Sequence, residues 1–199
     1  MTQPLLRLPS AYLAPVSWYA ALANVPSVAI EQHEHYVKQT PRNRARILMP
    51  SGVQDLIVPV EAAPNHTPIR DIRISEHGHW RHHHWSALRT AYGKSPFFEY
   101  YADDFAPFYE HRYEFLLDFN LQLHATVCQL IDLDVPLSLT TAFDADTFTD
   151  FSDLSAPATP YYQVFADRLG FQPNLSIIDL LCNLGPESIL YLKTSAGKS

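Results

Sequence analysis

The sequence predicts a protein of the α/β (or α+β) class: a single domain over residues 1–199, with a central mixed sheet and flanking helices. Three observations carry this expectation. The 199 residues, 47% hydrophobic and 18% charged, are enough to bury one core. Short strand-like runs fill the first third of the chain, and apolar residues at three- and four-residue spacing take over from His79. No internal repeat or linker divides the chain.

Residues 5–8 read as a short strand, and Pro15 opens a helix over 15–24, because proline suits the first helical turn. Residues 27–32 form an apolar run suited to a buried strand. Residues 42–49 alternate, with Asn43, Ala45, Ile47 and Met49 on one side and Arg44, Arg46 and Leu48 on the other. Pro50-Ser51-Gly52 turns the chain, and the β-branched stretch 53–60 returns as a partner strand. Ile72 and Ile74 mark another strand. From His79, Trp85, Leu88 and Tyr92 predict a helix that Gly93 ends. Residues 113–132 give the clearest helix, with Leu116, Phe119, Leu123, Val127 and Leu130 on one face, and 135–140 read as a strand. Asp144, Asp146, Asp150 and Asp153 among threonines, serines and prolines predict an acidic surface loop over about 142–160. Ser176-Ile177-Ile178-Asp179 is a capping-box pattern before an apolar run that Gly185 closes.

Several functional classes are disfavoured. No apolar run approaches the ~18 residues of a membrane-spanning helix. The first residues lack a basic segment and are broken by Pro4, Pro9 and Pro15, so they read as folded protein and not as a signal peptide. Cys128 and Cys182 sit in apolar surroundings, as reduced thiols of a cytoplasmic protein do. Neither GxGxxG nor GxxxxGK[ST] occurs. The net charge of −7 hides an asymmetry: residues 38–94 hold nine Lys/Arg against four acids, whereas 113–167 hold nine acids and no Lys or Arg. The two halves could complement one another, or the basic segment could hold an anion; nucleic acid does not suit the acidic total.

The segment from Glu76 to Trp85, with His77, His79, His82, His83 and His84, offers imidazoles at helical spacing for a metal ion. It contains no HExxH or CxxC pattern, so no metal ligands are assigned. Trp80 and Trp85 suit either a helix anchor or a flat wall for a sugar or base, with Arg81 and Lys94 reaching phosphate. Arg44 and Arg46 lie two apart on one strand face and could hold phosphate oxygens bidentately. His84 is the candidate acid/base because imidazole titrates near neutrality. Ser176, Asp179 and Asn183 share a helix face, where Asp179 serves either as a cap or as a general base.

Arg42-Asn43-Arg44-Ala45-Arg46-Ile47, followed by Ser51-Gly52 and Leu56-Ile57-Val58-Pro59-Val60, resembles the WbqC-like family with its NRNRI-like strand and TVPV-like return. Trp80-Arg81 through His84-Trp85 and Ala91-Tyr92-Gly93-Lys94 are similar to the family's WRxxHW…AYGK helix. Tyr161-Tyr162-Gln163-Val164-Phe165 resembles its YxQxF element, and Phe171 through Gly185 its FxPxLSIIDLLFNxG ending. The likeness runs over roughly residues 7–185. It implies a cytoplasmic bacterial protein, with relatives among surface-polysaccharide (O-antigen) genes. The implied activity is acyl or aminoacyl transfer onto a nucleotide-activated amino sugar.

On this reading His84 and Asp179 are the catalytic candidates. Arg42, Asn43, Arg44, Arg46, Trp80, Arg81, Trp85, Tyr92, Lys94, Tyr161, Gln163 and Asn183 are the ligand-binding candidates. The pocket is expected between the basic strand and the Trp80–Lys94 helix, with a phosphorylated small molecule or sugar nucleotide as partner. Cofactor and oligomeric state stay open. The family's HQPxYLP-like segment is here Arg7-Leu8-Pro9-Ser10-Ala11-Tyr12-Leu13, which lacks the His and Gln, and its acidic pair before QY is Gln32-His33. These departures leave two alternatives: a catalytically degenerate ligand- or protein-binding module using the aromatic stretch 97–108, or a histidine-rich metal-binding protein.

Overall fold

The computed structural model describes residues 6–195. β1 (Leu6–Pro9) leads through α1 (Val16–Leu22) to β2 (Val28–Glu31), its parallel neighbour. Residues 1–5, which include the first residue of the expected first strand and Pro4 of the segment expected not to be a signal peptide, lie outside the described residues. Pro15 precedes α1 as its N-cap, where a missing N–H costs nothing. Val16, Trp18, Tyr19, Ala20 and Leu22 are all buried, so this helix runs through the interior with no polar face to leave it.

β3 (Arg44–Met49) and β4 (Gly52–Ile57) form an antiparallel hairpin in which Met49 pairs with Gly52 and Arg46 with Asp55. Gly52 has φ +123°, which suits a residue without Cβ. The expected strand at Ile72 and Ile74 is instead an extended segment with single bridges, Val60 to Ile74 and Arg73 to Phe115. On the Phe115 side the ladder cannot grow, because the backbone enters a helix at Leu116.

α2 (Trp80–Tyr92) and α3 (Phe98–Glu110) pack side by side, and α4 (Leu116–Leu130) packs on α3. Leu116, Phe119, Leu123 and Val127 of α4 are buried as the periodicity predicts, each contributing about 1.5–3 kcal/mol of burial free energy. The stretch 97–108, read as an aromatic surface, is mostly α3: Phe98, Tyr101, Phe105 and Phe108 are buried, and Tyr100 remains exposed. β5 (Leu137–Leu139) then pairs parallel to β2, giving the sheet order β1-β2-β5. Parallel and antiparallel pairing therefore both occur, divided between this sheet and the hairpin.

The acidic segment 142–160 lies along the outer edge of β1. Phe148 bridges to Arg7, and Thr149 N–H donates to the Arg7 carbonyl at 3.0 Å. Asp150 caps a short 3-10 turn, Phe151–Asp153. α5 (Ala166–Leu169), α6 (Ile177–Leu184) and α7 (Ser188–Ser195) follow. α6 is buried from Ile177 to Asn183, and Ser176 caps it, but the expected capping box is only half formed because the Asp179 side chain turns to Tyr161 and Gln163. One continuous core joins these elements, and both cysteines are free thiols. No helix among the described residues is long and apolar enough to cross a membrane.

Candidate functional site

Open parallel sheets present ligands beyond the carboxyl ends of their strands. At that edge β2 ends on Glu31, which is fully buried. Its Oε1 accepts from the His33 N–H at 2.7 Å and from Thr140 Oγ1 at 2.8 Å. Its Oε2 is buried and has no partner, and such an acceptor costs free energy until a donor arrives. The Thr140 carbonyl accepts from Gln32 Nε2 at 2.7 Å and contacts His33 Nε2 at 3.1 Å. On the rim, Arg70 lies 3.2 Å from His33 Nδ1. Arginine only donates, so His33 Nδ1 accepts and its Nε2 donates to Thr140.

Beneath the rim, Arg42 is 1% exposed and grips the buried Glu34 with two hydrogen bonds, one at 3.0 Å through Nε and a shorter one through its terminal nitrogen. The same guanidinium reaches Asp150 at 3.1 Å and lies 5.2 Å from the centre of the Phe151 ring, which ties the 142–160 segment across the site. Burial pushes the Glu34 carboxyl up to about 7, overriding the pull of Arg42, and the charges of Asp150 and Glu31 add to the rise. Asn120 Nδ2 donates to the Arg42 carbonyl at 2.8 Å, while its buried Oδ1 is unpartnered. This region therefore holds two buried acceptors without donors, and two carboxyl groups, of Glu34 and Asp150, on one arginine.

The nominated residues fall into separate groups. Arg42 belongs to this site as a buried ion-pair partner, and Asn43 secures the chain by donating to the Val58 carbonyl at 2.8 Å. Arg44 and Arg46 do share a face, but Asp55 stands between them, 2.8 Å from Arg44 and 4.0 Å from Arg46, in a shallow cleft of about 480 Å³. α2 packs against β3, whose Ala45 and Ile47 are buried while Arg46 is exposed. The expected single pocket between the basic strand and α2 is thus replaced by separate clefts, because strand alternation turns the arginines away from the core.

His84 lies in the core. Its Nδ1 is 2.9 Å from the Tyr12 hydroxyl, which also meets the Tyr109 hydroxyl at 2.8 Å. Its ring stacks on Tyr12, and Trp80 packs edge-on. Burial pushes His84 down to about 4, so it stays neutral near pH 7 instead of titrating there. Arg81 is paired with Glu76, Lys94 is exposed, and Trp85 lines a cleft between α2 and α3.

Tyr92, Tyr161, Gln163, Asp179 and Asn183 do come together. Asp179 Oδ2 accepts from the Tyr161 hydroxyl at 2.6 Å and from Gln163 Nε2 at 2.8 Å, and Asn183 donates to the Asp179 carbonyl at 2.8 Å. Burial raises the Asp179 carboxyl to about 6 against these donors and Tyr92. With two donors on one oxygen, Asp179 fastens the 161–163 segment to α6. The His82 and His83 rings meet edge-on with His84 turned into the core, and no three His, Cys, Asp or Glu side chains among the described residues gather into a group that could hold a metal.

Glu31 had a sequence signal, an acid closing an apolar run, whereas Thr140, which reaches Glu31, and Asn120 and Asp150, which reach Arg42, come from distant segments and had none. The molecule is thus an α/β protein with a closed carboxylate site at the end of its parallel strands. The sequence profile of the WbqC-like protein family matches residues 10–155, and the chain belongs to that family. It is also similar to the uncharacterized protein Rv1507c of Mycobacterium tuberculosis, 27% identical over 220 aligned positions that cover 92% of this chain and 95% of that protein. No solved structure matches it.

Proposed function

We propose that this protein is a transferase that places an acyl or aminoacyl group on the amine of a nucleotide-activated amino sugar, as in bacterial surface-polysaccharide biosynthesis. The observation that supports it best is Glu31 Oε2, a buried acceptor lacking a donor at the carboxyl edge of a parallel sheet. An amine supplies the missing N–H. In the reaction the amine nitrogen attacks the carbonyl carbon of an activated acyl donor. The new C–N bond forms, the bond to the leaving group breaks with its electron pair, and the amine proton passes to Glu31. Arg70 and His33 on the rim suit a phosphate of the nucleotide. The site is closed over Glu31, so substrate entry requires the 142–160 segment to lift.

The test combines binding and turnover. The protein is incubated with a UDP- or dTDP-linked amino sugar and an acyl thioester, with product mass as readout, and its melting is followed with each ligand alone. Ligand at about 100 times its Kd adds about 2.7 kcal/mol of stability. The N-acylated sugar is expected from the wild type, with turnover lowered at least a hundredfold in a folded Glu31→Gln variant. Equal turnover by that variant, or no stabilisation by any amino sugar nucleotide, overturns the reading.

A further inference from the structure

We propose that the cleft between the outer faces of α2 and α3 is a second ligand site, taking a free amino acid with an apolar side chain whose carboxylate meets Arg89 and whose ammonium meets Asp103 and Glu99. The cleft measures about 770 Å³, within the range of small-molecule pockets, about 300–1,000 Å³. It exists because the facing helix positions are small: Ala102 and Ala106 on α3 leave the trough that larger side chains would fill.

The walls are oppositely charged. Arg89 lines the α2 side with His82, and Glu99 and Asp103 line the α3 side. Although they face one cleft, Arg89, Glu99 and Asp103 take part in no ion pair among the described residues. Arg81, two turns earlier on α2, is by contrast paired with Glu76. A molecule carrying both charges a few ångströms apart bridges what the side chains do not bridge themselves. The guanidinium offers a planar fork for a carboxylate, and the two acids accept from an ammonium.

Trp85 supplies the apolar wall. Its ring stacks on Tyr109 with centroids 5.6 Å apart and an interplanar angle of 23°, and packs on Phe98 at 6.0 Å. The indole is thereby held from behind while remaining half-buried, unlike Trp18 and Trp80, which are buried. A rigid aromatic surface beside two charged walls recognises an apolar side chain joined to a zwitterionic head.

This inference does not rest on the Glu31 reading, and its test separates the two. Saturation-transfer NMR is run on the full chain with a pool of the free L-amino acids, and the tryptophan emission, of which Trp85 is the half-buried source, is titrated with those that respond. Leucine or phenylalanine is expected to receive saturation and to shift the emission. Their N-acetylated and their amidated forms, each lacking one charge, are expected to bind at least tenfold more weakly. Arg89→Gln and Asp103→Asn, both at exposed positions and checked by circular dichroism, are expected to lose at least tenfold in affinity. Glu31→Gln is expected to bind like the wild type. The proposal is overturned by silence across the pool, by equal binding of the blocked forms, or by unchanged affinity in the two cleft variants.

Discussion

Thr140 Oγ1 lies 2.8 Å from Glu31 Oε1, although 109 residues separate them in the chain. The parallel pairing of Ile30 with Leu139 brings this about, because it carries the residues after each strand to one edge. The hydroxyl is one of two donors that hold the carboxylate still while its other oxygen stays free. Thr140→Val keeps the shape and removes the donor. It is expected to cost about 1–3 kcal/mol in urea unfolding, with Thr140→Ser much closer to the wild type. Equal stability of the two variants would show that the hydroxyl does not support Glu31.

Glu34 ties stability to pH. Its carboxyl is raised from 4.5 to about 7, because burial outweighs Arg42 while Asp150 and Glu31 add negative charge. A carboxyl raised on folding binds its proton more tightly in the native state. Its contribution is therefore full below about pH 4.5 and is lost as pH rises toward 7. The stability of the wild type relative to Glu34→Gln is expected to fall by about 3 kcal/mol across that window. Urea denaturation of both proteins at pH 4.5, 6 and 7.5 measures it. A pH-independent difference contradicts the assignment.

The 142–160 segment is pinned through Asp150, which is 42% exposed, to Arg42, which is 1% exposed. Asp150 also accepts from the Phe151 N–H at 2.9 Å. Asp150→Ala is expected to cost about 1–2 kcal/mol through the lost cap and the weakened ion pair. It should also speed limited proteolysis within 142–160 several-fold. Asp150→Asn retains the cap and should stay closer to the wild type. Cleavage that is unchanged in the alanine variant would mean that other contacts hold the strap.

Much of the fold was legible because its patterns are local. The alternation of 42–49, the turn at Pro50 and Ser51 and the return strand give the hairpin with its inward Ala45 and Ile47, and the spacing of Leu116, Phe119, Leu123 and Val127 gives α4. α3 was missed because its buried Phe98, Tyr101, Phe105 and Phe108 are interleaved with Tyr100, Asp103 and Asp104 and end near Pro107, which together read as surface. α7 carries a weaker pattern and was missed too. At the site, Glu31 carries a local signal, an acid ending an apolar run, but is absent from the residues that the sequence pointed to. Thr140 carries no such signal, since strand order decides that it sits beside Glu31, and Asn120 reaches the Arg42 carbonyl from α4. The role given to His84 assumed a solvated imidazole, and tertiary burial against Tyr12, Trp80 and Tyr109 overrides it.

That burial gives His84 a checkable signature. With its ring pushed down to about 4, the imidazole is neutral throughout the range in which an exposed histidine titrates. NMR of ring-labelled protein is expected to show no titration of His84 between pH 5.5 and 8. A midpoint near 6.5 would place His84 in contact with solvent and restore it as an acid/base candidate.

Gly185 shows how the C-terminal helices depend on one residue. It ends α6 with φ +55° and ψ −129°, a combination that residues with a side chain rarely adopt. A Cβ there would lie 2.5 Å from the Phe97 ring. Phe97 cannot simply withdraw, because its N–H donates to the Cys182 carbonyl at 3.0 Å and so holds the α2–α3 turn against α6. Backbone strain and overpacking therefore act together in Gly185→Ala, and the expected loss is roughly 2–4 kcal/mol. For a domain of this size that lowers Tm by roughly 4–16 °C. Phe97→Ala combined with Gly185→Ala removes the clash and leaves only the strain, so the double variant should lose less than the two single changes added together. Strict additivity of the two losses would show that the ring and the glycine do not meet.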